Sequence, residues 1–260
     1  MATIRNPARE RLERGELSIG LGIRLARTVE IAKILKTSGY DWIFLDLEHG
    51  TMSLDTAAQI SVAALDAGIS PIVRVPAMQH SMATRALDGG ALGIVMPHVD
   101  TAEEAQAIVD HLKYPPLGHR SVAGPQAQFD FRAMKVAEVT EAVNAANLTI
   151  VMVETPKGIA NADSIAAVPG IDVVLIGTND LAAEMGIPGD FANPRIAAAY
   201  ETVIAACRKH KKWPGMGGVY SEDLLKRYVG MGMRIMLAGG DVGMLMQAAT
   251  ARTSFLRGGL

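Results

Sequence analysis

Runs of apolar residues recur along the chain, and the spacing between most of them leaves room for one helix. Several runs are continuously apolar instead of alternating with polar residues, which is typical of parallel strands covered by helices. The seventh run is rich in glycine and gives the weakest signal. Together the runs predict eight strands, at residues 17–23, 42–47, 71–75, 93–96, 149–153, 173–176, 215–219 and 235–237.

Between these runs, apolar residues at helical spacing predict nine helices. Ser53 precedes one of them, and Thr101 precedes another with Glu104 three residues later, which is a capping box. Three glycines stand where a left-handed residue would end a helix, namely Gly68, Gly170 and Gly230. The predicted helices are residues 28–37, 54–67, 81–88, 102–111, 133–146, 160–166, 194–210, 222–230 and 242–252.

Eight strand–helix pairs in about 250 residues predict an α/β fold, a closed (β/α)₈ TIM barrel in a single domain over residues 1–260. An open, doubly wound sheet is the alternative. A dinucleotide-binding sheet would carry G-x-G-x-x-G after an early strand, whereas Glu48, His49, Gly50 and Thr51 follow the second one here. The longest irregular segment, residues 114–130, is long enough to predict a functional loop or an interface.

Composition narrows the choice of partners. The 260 residues are 49% hydrophobic and carry a net charge of −2, with no stripe of Lys and Arg, so nucleic acid and anionic membranes are disfavoured. No segment reaches the roughly 18 uncharged apolar residues of a membrane span. The single Cys207 excludes a disulfide framework and predicts a buried small side chain in a reducing cytoplasm. A small solute is the expected partner.

Polar side chains interrupt the apolar runs near their carboxyl ends, where a barrel of this kind forms its active site. Glu154 follows the fifth predicted strand and Asp180 the sixth, and Arg74 lies in the third. Asp46, Glu48 and His49 come at the end of the second. Each of these residues taken alone could be structural. Converging at one rim, Glu154 and Asp180 predict a site for a hard divalent cation such as Mg²⁺.

The chemistry of these side chains is mutually consistent. A 2-oxo acid can chelate the cation through its carboxylate and keto oxygens, and Arg74 is suited to stabilising the enolate formed when a C–C bond breaks. The backbone N–H groups of Asn179 and Asp180, near a helix start, can bind the substrate carboxylate. His49 can both accept and donate a proton near neutral pH.

Five segments together resemble the signature series of the HpcH/HpaI aldolase family, whose type member is 4-hydroxy-2-oxoheptanedioate aldolase. Their order and spacing agree over residues 17–249, so the series is specific where any one segment would be weak. The segments are DWIFLDLEH at 41–49, VRVP at 73–76, YPPLGHR at 114–120, VET at 153–155 and GTNDL at 177–181.

The resemblance implies a class II pyruvate aldolase that reversibly cleaves a 4-hydroxy-2-oxo acid to pyruvate and an aldehyde through a metal-bound enolate. Carried over residue by residue, His49 matches the catalytic base, and Arg74 matches the transition-state stabiliser. Glu154 and Asp180 match the ligands of Mg²⁺ or Mn²⁺, with Co²⁺ as a further option. Asp88 matches a carboxylate that raises the basicity of the histidine. The resemblance also implies a hexamer, a trimer of dimers, with an exchanged C-terminal helix that residues 243–249 could supply.

Some positions depart from the family pattern. Met152 stands where some members carry a substrate-contacting Gln, and the first loop is basic, so Arg24 or Arg27 could meet a second carboxylate on the substrate or could be ordinary surface arginines. His98 and His119 are interpreted as loop or interface histidines. Two other functions stay open: a citrate lyase β-like CoA-thioester lyase, for which no basic patch is evident, and a non-catalytic 2-oxo-acid binding protein.

Overall fold

Eight parallel strands form a closed barrel in the computed structural model, which describes residues 3–258. The strands pair in chain order and β8 closes on β1, so the predicted TIM barrel is confirmed and the open sheet is excluded. The strands are β1 Ser18–Ile23, β2 Trp42–Asp46, β3 Ser70–Arg74, β4 Gly93–Met96, β5 Leu148–Val153, β6 Val173–Gly177, β7 Trp213–Gly217 and β8 Ile235–Gly240.

At least one helix follows every strand, and all of these helices except the last one bury residues against the rest of the chain. The α-helices are α1 Pro7–Glu13, α2 Glu30–Thr37, α3 Leu54–Ala67, α4 His80–Asp88, α5 Ala102–Leu112, α6 Val136–Ala146, α7 Pro156–Ala160, α8 Ala162–Ala167, α9 Thr178–Glu184, α10 Pro194–His210, α11 Glu222–Met231 and α12 Asp241–Gly258. A short 3₁₀ helix, Ala127–Phe129, lies in the long segment between α5 and α6. No helix in residues 3–258 combines the length and apolar character needed to cross a membrane.

The amino end of the barrel is closed by α1, a helix that the sequence did not predict. Ala8 and Leu12 are buried in the same cluster as Trp42, which faces into the barrel. The Asn6 side chain caps this helix and Pro7 occupies its first turn. These start signals were overlooked because many charged residues surround them. Side chains therefore fill the interior, and the open end lies at the opposite, carboxyl rim.

Local signals account for several boundaries. The Ser53 cap and the Thr101–Glu104 capping box are both formed, and Gly68 ends α3 in the left-handed region with φ of 71°. The assignment of Gly230 was wrong, because α11 runs on to Met231 and a second glycine, Gly232, ends it with φ of 130°. Gly170 has φ of 93°, but it lies in the turn after α8 and does not cap the helix.

The other differences concern short elements and element ends. The predicted helix at 160–166 is split into α7 and α8. The helix start expected near Asn179 and Asp180 is α9, which follows β6 with no intervening loop and for which no range was predicted. Strand β7 begins two residues earlier than expected, and β8 extends to Gly240. The buried position of Cys207 is confirmed.

Candidate active site

Five polar residues lie at the carboxyl ends of strands, on one rim of the barrel. Asp46 is the last residue of β2 and His49 follows three residues later, while Arg74 is the last residue of β3. Glu154 comes directly after β5, and Asp180 lies in the first turn of α9, which begins as soon as β6 ends. Because parallel strands end at the same rim, these side chains surround one space.

That space is a cavity of about 230 Å³. Its lining includes five of the six residues that the sequence singled out as site residues: His49, Arg74, Glu154, Asn179 and Asp180. The cavity is large enough for a small organic acid. The structure therefore brings together the proposed base, the cationic group, the carboxylate pair and the helix start.

Asp46 is a buried carboxylate that holds two arginines of the site in place. Its carboxylate is 1% exposed and accepts two hydrogen bonds from Arg74, at 3.0 Å from Nε and 2.7 Å from NH2, and one at 2.7 Å from Nε of Arg24. The backbone N–H groups of Glu48 and His49 also donate to it. Burial raises the pKa of Asp46, but the Arg74 contacts and these further donors lower it more, to about 2. Asp46 therefore stays ionised and fixes both arginines.

Arg74 is held in one orientation by its surroundings. Two of its nitrogens bind Asp46, and the third lies 3.0 Å from Oε2 of Glu48. Its guanidinium carbon lies 5.2 Å from the centre of the Phe44 ring, and the same third nitrogen lies 4.0 Å from the sulfur of Met152. This is a preorganised cation at the edge of the cavity, of the kind that stabilises developing negative charge.

Glu154 is a buried carboxylate that forms no salt bridge with a Lys or Arg among the described residues. It is 2% exposed and accepts the His98 backbone N–H at 2.8 Å. A Cβ at Gly177 would lie 2.5 Å from its Oε1, so the glycine leaves room for the carboxylate. Burial raises the pKa of Glu154 to about 7; His98 opposes this shift, and the nearby charges of Asp180 and Glu48 add to it.

The residues around Glu154 fit a divalent cation. Asp46 and Glu48 are already paired with Arg74, whereas in residues 3–258 neither Glu154 nor Asp180 pairs with a Lys or Arg. A carboxylate whose pKa is raised by burial and by neighbouring carboxylates becomes fully ionised when a cation binds beside it. Within residues 3–258 no group of three or more metal-binding side chains converges on one point. The protein would therefore supply two oxygen ligands and leave the other positions to water or substrate.

One contributor to the site was interpreted differently from the sequence, and a second, Glu48, was expected at the end of the second strand. His98 was interpreted as a loop or interface histidine, but its Nδ1 lies 3.3 Å from Glu154 and its Nε2 lies 3.4 Å from Glu48. Glu48 also lies 3.9 Å from Nε2 of His49, so it stands between the two imidazoles. His98 follows Met96, the last residue of β4, so the rule that located the other site residues could have located it.

Asp88 is the one predicted site residue that the structure does not bring to the cavity. It is the last residue of α4, and helices run back from the carboxyl rim, so it lies at the opposite end of the barrel from His49. Its carboxylate accepts a 2.6 Å hydrogen bond from Arg120, a buried side chain stacked over the Tyr114 ring. Any effect of Asp88 on His49 would require a second chain and stays a prediction.

The two arginines of the first loop differ in position. Arg24 lines the cavity and binds Asp46. Arg27 donates to backbone oxygens of its own loop and, at 3.2 Å, to the hydroxyl of Thr51. Asp241, at the start of α12, accepts the backbone N–H groups of Arg24 and the next two residues. The loop is therefore fixed, with Arg24 directed at the site and Arg27 bracing the loop.

A parallel eight-stranded barrel with a carboxylate pair, a fixed arginine and a histidine at its carboxyl rim has the site of a carbon–carbon lyase for 2-oxo acids. Comparison with known proteins agrees. A sequence profile of the family described as HpcH/HpaI aldolase/citrate lyase matches residues 25–248. The chain belongs to this family.

Individual relatives support the assignment along nearly the whole chain. A protein from Hapsidospora irregularis, named 4-hydroxy-4-methyl-2-oxoglutarate aldolase, is 42% identical over 88% of this chain and 85% of its own length. The 2-keto-3-deoxy-L-rhamnonate aldolase of Escherichia coli strain K12 is 31% identical over 99% of this chain and 96% of its own. The crystal structure of an HpcH/HpaI aldolase from Desulfitobacterium hafniense DCB-2 superposes with a TM-score of 0.91 at 29% identity, covering 96% of each chain.

Proposed function

We propose that this chain cleaves a 4-hydroxy-2-oxo acid between C3 and C4, releasing pyruvate and a carbonyl compound, and that it also catalyses the reverse aldol addition. The observation that carries the proposal is the convergence of His49, Arg74, Glu154 and Asp180 on one small cavity. The relatives support the same class of reaction, since those named above are aldolases.

Glu154 and Asp180 would hold a divalent cation, Mg²⁺, Mn²⁺ or Co²⁺, which when bound supplies Lewis acidity toward the 2-oxo group. The fixed guanidinium of Arg74 stabilises the negative charge that develops on the 2-oxo oxygen. The backbone N–H groups of Asn179 and Asp180, in the first turn of α9, bind the C1 carboxylate.

His49 moves the proton in this proposal. In cleavage it accepts the proton of the C4 hydroxyl while the C3–C4 bond breaks, and it then returns a proton to C3, so that the enolate becomes pyruvate. Its imidazole is half exposed and lines the cavity, which leaves it accessible to the substrate.

The relatives suggest two kinds of substrate. The substrate named for the Hapsidospora protein carries a second carboxylate on C4, whereas the one named for the Escherichia coli protein carries a neutral hydroxylated chain beyond C4. Both are 2-oxo acids with a hydroxyl group on C4, so both fit the chemistry proposed for the rim.

Exchange of the pyruvate methyl protons for deuterium tests enolisation directly, without knowledge of the acceptor. We expect the methyl NMR signal of pyruvate in D₂O to disappear with Mg²⁺ or Mn²⁺ and to persist with EDTA. Glu154→Gln should lose the exchange. Its affinity for Mn²⁺, measured by water-proton relaxation, should fall at least about 10–100-fold, because losing a residue that only hydrogen-bonds to a metal ligand already has an effect of that size and Glu154 is itself a proposed ligand. Glu103→Gln, an exposed site on α5, is the matched control.

Two results would contradict the proposal in different ways. Binding of Mn²⁺ and pyruvate with no methyl exchange would indicate a binding protein without turnover. Absence of exchange together with cleavage of a CoA thioester would indicate the citrate lyase β-like activity.

We also propose that the chain assembles as a hexamer, a trimer of dimers, in which α12 is exchanged between subunits. None of the residues of α12 is buried against its own chain, and its apolar side chains include Phe255 at 71% exposure and Met246 at 62%. An apolar helix surface of this kind is typical of a subunit contact. Light scattering should give about six times the chain mass of 27.5 kDa. The mass of a single chain would contradict the proposal.

A further inference from the structure

A second and larger cavity adjoins the active site. It has a volume of about 520 Å³ and shares four lining residues with the smaller cavity: Arg24, Asn179, Tyr220 and Leu237. Because the two spaces share these walls, a substrate bound by its 2-oxo acid end in the smaller one can extend its C4 substituents into the larger one. The larger cavity is therefore where the acceptor half of the substrate would lie.

Arg24 lines both cavities and has nitrogens available to bind a ligand. It is the first residue after β1, and its backbone N–H binds Asp241 at 3.1 Å, so its position is fixed at the main chain. Its Nε donates to Asp46 at 2.7 Å, yet in the part of the chain that the structure describes its two terminal nitrogens have no hydrogen-bond partner. The side chain is 51% exposed.

The distance to Arg74 limits what Arg24 can recognise. Both arginines donate to Oδ2 of Asp46, each at 2.7 Å, so the two donor nitrogens are no farther apart than the sum of these distances. Arg74 serves the oxygen on C2 of the substrate. C4 is two bonds from C2 along the carbon chain of the substrate, so a carboxylate on C4 would reach Arg24. A carboxylate several carbons further along the substrate would lie beyond Arg24.

From this geometry we infer that Arg24 binds a second carboxylate carried on C4, so that the carbonyl product is itself a 2-oxo acid and not a simple aldehyde. This inference rests on the proposed aldolase function and specifies its substrate. A guanidinium group suits the task because it can bind a carboxylate through two parallel N–H bonds, and its fork is already oriented by Asp46. Tyr220, which lines both cavities, is placed to contact the same carboxylate.

Two substrates that differ only at one C4 substituent test the inference. 4-Hydroxy-4-methyl-2-oxoglutarate yields two molecules of pyruvate, and 4-hydroxy-4-methyl-2-oxopentanoate, in which a methyl group replaces the carboxylate, yields pyruvate and acetone. We expect Arg24→Met to lower kcat/KM for the first substrate about 10–100-fold more than for the second, because a charge-assisted pair is lost. Arg24→Lys should recover part of that difference. Arg27→Met removes the same charge three residues away and should leave the ratio unchanged.

The outcomes separate this inference from the function on which it rests. An equal loss on both substrates would show that Arg24 acts only through Asp46, and it would overturn the inference while leaving the aldolase proposal intact. A larger effect of Arg24→Met on 4-hydroxy-2-oxoheptanedioate, whose second carboxylate lies further along the chain, would overturn the assignment to C4. Failure of the wild-type protein to exchange the methyl protons of pyruvate would instead count against the aldolase function itself.

Discussion

Replacement of His49 by alanine is expected to lower kcat for cleavage by about 10²–10⁴-fold, the usual contribution of a positioned acid–base group. Binding of Mn²⁺ and pyruvate should persist, because the proposed ligands Glu154 and Asp180 have no hydrogen bond to the His49 side chain within the described residues. Steady-state kinetics together with Mn²⁺ titration of the same preparation would measure both quantities. Full activity in the variant would refute His49 as the base.

His98 is the competing candidate for the base, because its imidazole also borders the site. Its backbone has φ of 55°, in the left-handed region, so alanine would add strain there; asparagine tolerates this conformation and is the better replacement. His98→Asn keeps the backbone N–H that binds Glu154. If His49 is the base, His98→Asn should retain far more activity than His49→Ala. The reverse order would transfer the role to His98.

The barrel was predictable because most of the strands are almost unbroken apolar runs. Such runs occur where a parallel strand is covered on both faces, and the eight strands with their helices define the closed sheet. Helix α1 was missed, and α9 was expected only as a helix start at Asn179 and Asp180, for a physical reason. Each has seven residues, two turns or fewer, so the periodicity of apolar positions has little length in which to appear.

The site was predictable wherever a polar residue follows an apolar run, which is how Glu154 and Asp180 were found. The same rule applied to β4 would have added His98. The role of Asp46 could not be read from the sequence, because it depends on two arginines, one after β1 and one at the end of β3, sharing one carboxylate. Asp88 was assigned from the family resemblance alone. In a single chain it lies at the amino-end rim of the barrel, away from the cavity.

A second cluster of charges lies at that other rim and concerns stability. Asp172, just before β6, accepts hydrogen bonds from Arg9 at 2.9 Å, from Nζ of Lys113 at 3.2 Å and from the Thr149 backbone N–H at 2.8 Å. Lys113 is itself buried and donates to the backbone oxygen of Asn147 at 2.6 Å. One carboxylate therefore joins α1, the end of α5 and the start of β5.

Asp172→Asn should destabilise the fold by about 3–5 kcal/mol, because it leaves the buried charge of Lys113 without its anion. We expect the melting temperature, compared at equal protein concentration, to fall by about 10 °C. Asp163→Asn is the matched control: that carboxylate binds Lys209 and His210 but is 55% exposed, so its loss should leave the melting temperature nearly unchanged. Equal effects of the two substitutions would contradict the role given to Asp172.

The pH dependence gives an independent check. Burial raises the pKa of Asp172, but the charges of Lys113 and Arg9 and the Thr149 N–H outweigh it, so the folded-state pKa lies below the ordinary value of 3.8. As the pH falls, the unfolded chain therefore takes up the Asp172 proton before the folded chain does. The stabilisation from ionised Asp172 is fully present above pH 3.8 and is lost as the pH falls through the folded-state pKa. The difference in melting temperature between the wild type and Asp172→Asn should accordingly be constant near neutral pH and shrink in strong acid, because protonation of Asp172 removes the same charge that the substitution removes.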